Sequence, residues 1–560
     1  MTIRRWASLL AGLLWITAMS AAAQDAQTEF RTIRDAYLEK YRPLSIQAGE
    51  AWWEASTTGS DEAFARRKQA DEALSALHSD REVFSRLVAL RKSGGVRDPQ
   101  LKRELEVMYL TFLPKQADPE LNRRIIALEA DVEQIFNTHR STVDGKTLTE
   151  NDVRDILKAT KDTELARKAW TAYMDVGRKV EDKLKELVKL RNEVARKLGY
   201  DNYFTMMMEV QEFDADELLA LFDELDRLTR EPFTRLKSEI DRSMTARFGI
   251  QEAGLRPWHT GDLFFQEAPD LSQVSLDAMY RSKDPVKLSE AHYESMGLEV
   301  DSILARSDLY EKEGKSPHAF CTSIDRARDV RVLCNVKPNA NWMDTMHHEL
   351  GHGVYDLYVD EKVPFILHGP AHILTTEGMA MLFGALTQSS EFIDKVVAPP
   401  QELRSAYIEE ARRSLRAEKL IFSRWAQVMF RFEREMYRNP DQDLNQLWWG
   451  LKKKYQLLNP PEDMAGADYG AKVHVVVAPV YYHNYLLGDL FAAQVWHHAA
   501  TDVMGLKNPV ETSFYGSKKA GEYFRSAVFA PGGLYDWREL TRRATGEPLN
   551  PKYYAEMFVN

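Results

Sequence analysis

Apolar residues recur every three or four positions through most of the chain, with charged residues between them, and that spacing predicts helices. Over residues 29–248 the pattern is helical almost throughout. The stretch LKELVKLRNEVARKL at 184–198 shows the spacing well, and Gly199 follows it as a stop. Breaks are short: Ser93-Gly94-Gly95, Asp144-Gly145 and Asp201-Asn202. More helices are expected over 374–386, 401–437, 444–455 and 481–498, so the predicted fold class is mostly α. No repeat, low-complexity linker or Pro-rich hinge divides the chain. The economical expectation is a single body, residues 24–560, in two helical lobes.

Period-two alternation stands out at 330–336. Val330, Val332, Cys334 and Val336 alternate there with Arg331, Leu333 and Asn335, which predicts a strand. Residues 319–325 can pair with it as a short β-hairpin across an Arg326-Ala327-Arg328-Asp329 turn. That register sets Cys321 opposite Cys334, so a disulfide between them is expected to staple the hairpin. Its edge offers a place for an extended peptide to add as a strand, or for a loop to cover.

The next helix is expected over 341–358, with Asn341 as N-cap, Asp344 three residues on, and Trp342, Met346, Leu350, Val354 and Leu357 as its apolar stripe. It contains His348, Glu349 and His352, the HExxH pattern. Two His four residues apart share a helical face and can aim both imidazoles at one Zn²⁺. Glu349 adjoins the first His, so it is placed to take a proton from water as a general base rather than to bind the metal.

A catalytic zinc keeps three protein ligands and one open position. A third His six residues after His352 is ruled out, because Tyr358 stands there. Glu361 is too near, in the turn. Glu377, on the helix predicted over 374–386, can return antiparallel to the first and is the expected third ligand.

Bulk properties narrow the partners. The chain has 560 residues, 44 % of them hydrophobic and 28 % charged, as in ordinary globular proteins, and a net charge of −11 with Lys and Arg spread among the acids. That argues against nucleic acid or an anionic membrane surface. At the N-terminus two Arg precede an apolar run at 6–19, and Ala21-Ala22-Ala23 supplies a small-residue cleavage site. A signal peptide over 1–23 is therefore expected, with export to a periplasmic or extracellular, oxidising compartment that suits a disulfide.

Several further motifs gain weight together. Gly261-Asp262-Leu263-Phe264-Phe265-Gln266, His318-Ala319 and His347-His348-Glu349-Leu350-Gly351-His352 come first. Asn445-Gln446-Leu447-Trp448-Trp449, Lys454-Tyr455-Gln456, Pro460-Pro461 and Gly470-Ala471-Lys472-Val473-His474 come after them. In this order they resemble the angiotensin-converting-enzyme-like zinc peptidases, specifically the bacterial exported members. The resemblance implies a two-lobed helical body around a deep central channel. It also implies a peptidyl-dipeptidase, which removes dipeptides from the free C-termini of peptides.

Residue by residue, the resemblance makes His348, His352 and Glu377 ligands of one Zn²⁺, and Glu349 the general base. His318 and His474 become donors to the substrate and the tetrahedral intermediate, with Ala319 on the substrate strand. Gln266, Lys472 and Tyr482 become a clamp on the substrate carboxylate, and Tyr485 stabilises the oxyanion. The two Tyr fit if one residue is inserted, and they lie in an aromatic run where core packing is the alternative. His483 competes with His474.

Three departures stand out. Met381 occupies the position of an acid that supports a zinc-bound His in the family, and Asp344 is a candidate substitute. The spacing from His352 to Glu377 is one residue longer. Asn484 replaces the family's chloride-linked Arg, so the resemblance does not extend to chloride activation. The residues leave open an oligopeptidase, a single-residue carboxypeptidase, and a zinc-containing peptide-binding protein without catalysis.

Overall fold

Helices carry nearly the whole chain in the computed structural model, which describes residues 24–269, 272 and 274–559 in full. The leader expected over 1–23 lies outside these described residues. Six helices build and support the centre of the molecule: α1 (Thr163–Lys197), α2 (Ala340–Leu357), α3 (Ile373–Leu386), α4 (Gln401–Arg438), α5 (Leu444–Gln456) and α6 (His483–His498). Their bounds match the apolar spacing to within a few residues. Gly199, at φ 93°, ends the α1 segment as expected. Among the described residues, no helix is long and apolar enough to cross a membrane.

Two small antiparallel hairpins interrupt the helices. The first joins β1 (Ser141–Val143) to β2 (Lys146–Leu148). Its two-residue turn is Asp144-Gly145, both at positive φ, the geometry that matches the strand twist. The second joins β3 (Phe320–Ser323) to β4 (Val330–Leu333).

The β3–β4 register corrects the expectation. Cys321 faces Val332, not Cys334, and Ser323 faces Val330. The turn therefore spans 324–329. Asp325 accounts for the wider turn, because its carboxylate accepts the amides of Ala327 and Asp329 at 2.9 Å each. Both cysteines are free thiols, so the expected disulfide is absent. On its far side β4 is covered by Asp308, which exchanges backbone bonds with Val332 and Cys334. The N-terminal helix ending at Thr58 lies over β3, with Trp52 stacked on Phe320 at 4.3 Å.

The largest apolar cluster draws on residues from Val132 to Val559. A smaller one joins Phe30, Ile33 and Tyr37 to Leu105, Phe112 and Ile366. Two cavities flank α2. One, of about 720 Å³, is walled by α2, α3, α4 and α6. The other, of about 530 Å³, lies along β3.

Within this frame α3 packs on α2 on one side and on α6 on the other. Glycine permits both approaches. A Cβ on Gly351 would meet the Ala380 Cα at 2.8 Å, and one on Gly378 would meet the Gly488 carbonyl oxygen at 2.8 Å. Gly351→Ala is therefore expected to destabilise the fold by about 1–3 kcal/mol, as overpacking does. Urea denaturation measures it, and an unchanged midpoint would show that α2 and α3 can move apart freely.

Candidate active site

The metal set starts with how α2 begins. Asn339, in extended conformation, accepts the Trp342 amide at 2.8 Å and caps the helix. The cap expected at Asn341 thus falls two residues too late, and Asp344 lies in the second turn, where it caps nothing. The stripe Met343, Met346, Leu350 and Val354 is fully buried. That burial fixes the rotation of α2 and turns His348 and His352 toward α3.

There Glu377 meets them. Its Oε2 lies 3.7 Å from His348 Nε2 and 3.9 Å from His352 Nε2. Ligands about 2.1 Å from a tetrahedral ion stand roughly 3.4 Å apart, so these three donors fit a zinc with little adjustment. All three side chains are 15–25 % exposed, which leaves an open side. Both His are in the neutral form a ligand needs. Burial pulls His348 down to about 4 and His352 well below its ordinary value. Burial pushes Glu377 up to about 7, with repulsion from Asp489 adding.

Support for the ligands comes from a residue that the sequence pattern does not single out. The Thr376 hydroxyl lies 2.6 Å from His352 Nδ1, which directs Nε2 at the site. It replaces the acid missing at Met381, whose sulfur lies instead against Gly488. Asp344 does not take that role. It lines the larger cavity, and burial with repulsion from Glu418 pushes it up to about 7.

Glu349 sits behind the ligands and is 7 % exposed. Burial pushes it up to about 8, repulsion from Glu377 adds, and the Cys321 backbone amide bonded to it acts the other way. A carboxyl so placed can exchange protons near neutral pH. The strand thus positions the candidate base, which alternation alone does not reveal.

The second set surrounds Gln266. Its Oε1 accepts Lys472 Nζ at 2.7 Å and Tyr482 Oη at 3.5 Å. The loop beneath is held from both ends. Asp262 accepts the amides of Phe264 and Gln266, while the Lys452 ammonium donates to the Phe264 carbonyl at 2.8 Å and the Gln456 amide to the Phe265 carbonyl at 2.7 Å. The Trp-Trp and Tyr-Gln motifs on α5 therefore act as scaffold. Lys472 is 6 % exposed, and burial pulls it down to about 8. Among the described residues, no carboxylate stands within ion-pair distance of it, so a buried cation awaits an anion.

His474, Tyr482 and Tyr485 line the larger cavity with His348 and Gln266. His474 Nδ1 is buried without a partner, and its ring is 5.4 Å from that of Tyr482. His483 is different. It is 1 % exposed and packed between Phe213 and Phe430, which makes it a core residue. Asn484 is also buried and donates to Gln211 at 2.7 Å. His318 and Ala319 directly precede β3, where His318 is exposed and outside the lining of that cavity.

Comparison with known proteins shows the family. The sequence model of the angiotensin-converting enzyme peptidase family matches residues 24–553. The angiotensin-converting enzyme-like protein Ace3 of Mus musculus is 23 % identical over 484 residues, covering 80 % of this chain and 64 % of its own. Angiotensin-converting enzyme of Theromyzon tessulatum is 21 % identical, covering 80 % and 78 %. That of Oryctolagus cuniculus is 23 % identical, covering 80 % and 36 %. The chain thus spans about two thirds of the Ace3 protein and about a third of the rabbit enzyme.

Two outcomes test the metal set. Thr376→Val is expected to weaken zinc binding about 10–100-fold with helix content unchanged; competition with a chromophoric chelator measures it, and unaltered affinity would remove Thr376 from its role. Zinc binding should also release at least about one proton near pH 6, since Glu377 holds one there and the His do not. The sign follows: a carboxyl raised to about 7 must lose its proton on binding, so affinity rises with pH and levels off above about 7. Calorimetry in buffers of different ionisation enthalpy reads this, and zero release would mean Glu377 is already ionised.

Proposed function

The chain belongs to the angiotensin-converting enzyme family of peptidases, and from that premise we propose that it is an exported zinc peptidyl-dipeptidase, releasing dipeptides from the free C-termini of oligopeptides. One observation carries this reading. His348 of the three-donor metal set borders the same cavity as Gln266 and Tyr482, and Gln266 accepts a hydrogen bond from the buried Lys472. A peptide whose carboxylate rests on the clamp lays its penultimate bond toward the metal set.

His348, His352 and Glu377 would hold one Zn²⁺. When bound, zinc supplies Lewis acidity, polarising the substrate carbonyl and lowering the pKa of water. The protein's own residues do the rest. Lys472 and Tyr482 donate to the terminal carboxylate, a cation plus a neutral donor, while Gln266 orients both. The β3 edge, reached through His318 and Ala319, orders the peptide backbone. Glu349 takes the proton of the attacking water and passes it to the leaving amine. Tyr485 and His474 donate to the oxygen that gains charge as the carbonyl becomes tetrahedral. Asn484 contributes no cation near the Tyr pair, so activity without added chloride belongs to the proposal.

Mass spectrometry of one short peptide tests this, as free acid and as C-terminal amide, with and without a chelator. Stepwise loss of dipeptides from the free acid alone, blocked by the chelator, is the expected result. Internal cuts in both forms would mean an oligopeptidase, single-residue loss a carboxypeptidase, and no cleavage a binding protein. Glu349→Ala should cut turnover about 10²–10⁴-fold and leave zinc bound.

A further inference from the structure

The larger cavity has a wall that the reaction does not use. Its charged side chains are Glu239, Glu267, Asp344, Glu410, Glu418 and Asp489 against Arg413 and Lys419. Two of these acids are already paired. Glu267 lies 3.5 Å from Lys158, and Glu410 lies 2.8 Å from Arg413. The deeper part holds Asp344, Glu418, Asp489 and Lys419. Lys419 Nζ donates to Asp489 Oδ1 at 2.6 Å, which neutralises that pair. Glu418 stands 3.9 Å from Lys419, at the edge of contact. Three carboxyl groups thus face one ammonium; burial and mutual repulsion raise Asp344 and Glu418, so an incoming cation would favour their ionised forms.

Their position relates them to the clamp. Phe422 packs beside Tyr482, with ring centroids 6.1 Å apart, and Glu418 and Lys419 lie one turn earlier on α4. Asp489 lies one turn beyond Tyr485 on α6, and Asp344 one turn before His348 on α2. The acids therefore flank the space between the clamp and the metal set. Glu418 is 55 % exposed although it lies inside the protein, because it opens onto the cavity. A network that served only to hold Lys419 would need Asp489 alone. The space is roomy, at about 720 Å³, and Met381, Gly384 and Ala385 supply apolar wall for a long side-chain stem.

We propose that this cavity selects a cationic side chain, Lys or Arg, on the C-terminal residue of the peptide, with Asp344, Glu418 and Asp489 as the recognising carboxylates. The clamp fixes the backbone of that residue, and the acids lie beside it. A guanidinium or ammonium there favours their ionised forms, whereas a terminal Glu would add a further acid. The assignment rests on the dipeptidase reading.

The test uses the zinc-loaded protein and one N-blocked peptide varied only in its last residue, Arg, Leu or Glu. Dipeptide release should give kcat/KM at least about tenfold higher for Arg than for Leu, with Glu lowest. Glu418→Gln should narrow the Arg-to-Leu ratio, and Glu418→Lys should move the preference toward Glu, which a merely structural role would not do. Dipeptide release with Leu equal to or above Arg, or a ratio unmoved in both variants, overturns the pocket and leaves the dipeptidase reading intact. The same peptides titrated onto zinc-loaded Glu349→Ala separate the two claims. Preferred binding of the Arg peptide alongside a different cleavage product keeps the pocket and overturns the dipeptidase reading, and no preference in binding or cleavage overturns the pocket.

Discussion

Everything at the centre of this protein depends on how closely α3 can lie between α2 and α6. The ligand atoms of His348, His352 and Glu377 come from two helices and stand within 4.8 Å of one another. Side chains of ordinary size at the crossing would hold the axes apart and pull Glu377 out of reach. Gly351 admits the Ala380 backbone, and Gly378 and Gly488 admit each other. The same approach brings the Thr376 hydroxyl onto His352 and Asp489 toward Glu377. Backbone proximity thus sets the coordination geometry and its electrostatics together.

That geometry has an electrostatic cost when no cation is present. Burial penalises the ionised forms of Glu349 and Glu377, and each carboxylate has another acid nearby. A divalent ion removes the penalty, so the site is built for metal rather than for stability of the free chain. On the opposite side of the cavity the sign is reversed. Lys472 is a buried cation without a carboxylate in contact, surrounded by Phe264, Trp425 and Tyr482 within 5.5 Å. The metal set thus gathers acids while the clamp buries an ammonium, a polarity that suits the carboxylate-first binding proposed above.

Much of this is legible from residue spacing alone. Helical periodicity locates α2 and α5, which bury a stripe, while α3 and α6 are buried nearly all round and show as apolar runs; the return of Glu377 needs only one antiparallel turn. The misses have physical causes. Asn339 and Asn341 are equally good caps by type, and only the extended backbone at Asn339 decides between them. Alternation leaves the hairpin register open, because it fixes which face a residue takes, not its partner. Asp325 selects a longer turn by binding two amides, and a shift of two residues keeps every face while separating Cys321 from Cys334. Thr376 carries no signal, since a hydroxyl beside a ligand becomes support only once the two helices cross. The acids at 344, 418 and 489 lie on three helices and converge only in space.

The clamp shows why a motif distant from the reacting centre can matter as much as the ligands. Gln266 sits on an irregular loop with Phe265 at positive φ, a conformation that a bulky residue adopts only when surrounding contacts enforce it. Here the enforcing groups are Asp262 beneath the amides and Lys452 and Gln456 above the carbonyls. Lys452 is itself buried among Trp425, Trp448 and Trp449, with its charge turned onto the Phe264 carbonyl. The loop is held in place because the buried Lys452 amine has few other acceptors to donate to. Loosening it would displace Gln266 and leave Lys472 without its neutral partner. In the proposed reaction the aromatic and basic residues of α5 would not touch the peptide, yet they would set where its carboxylate comes to rest, and through it which bond lies at the metal.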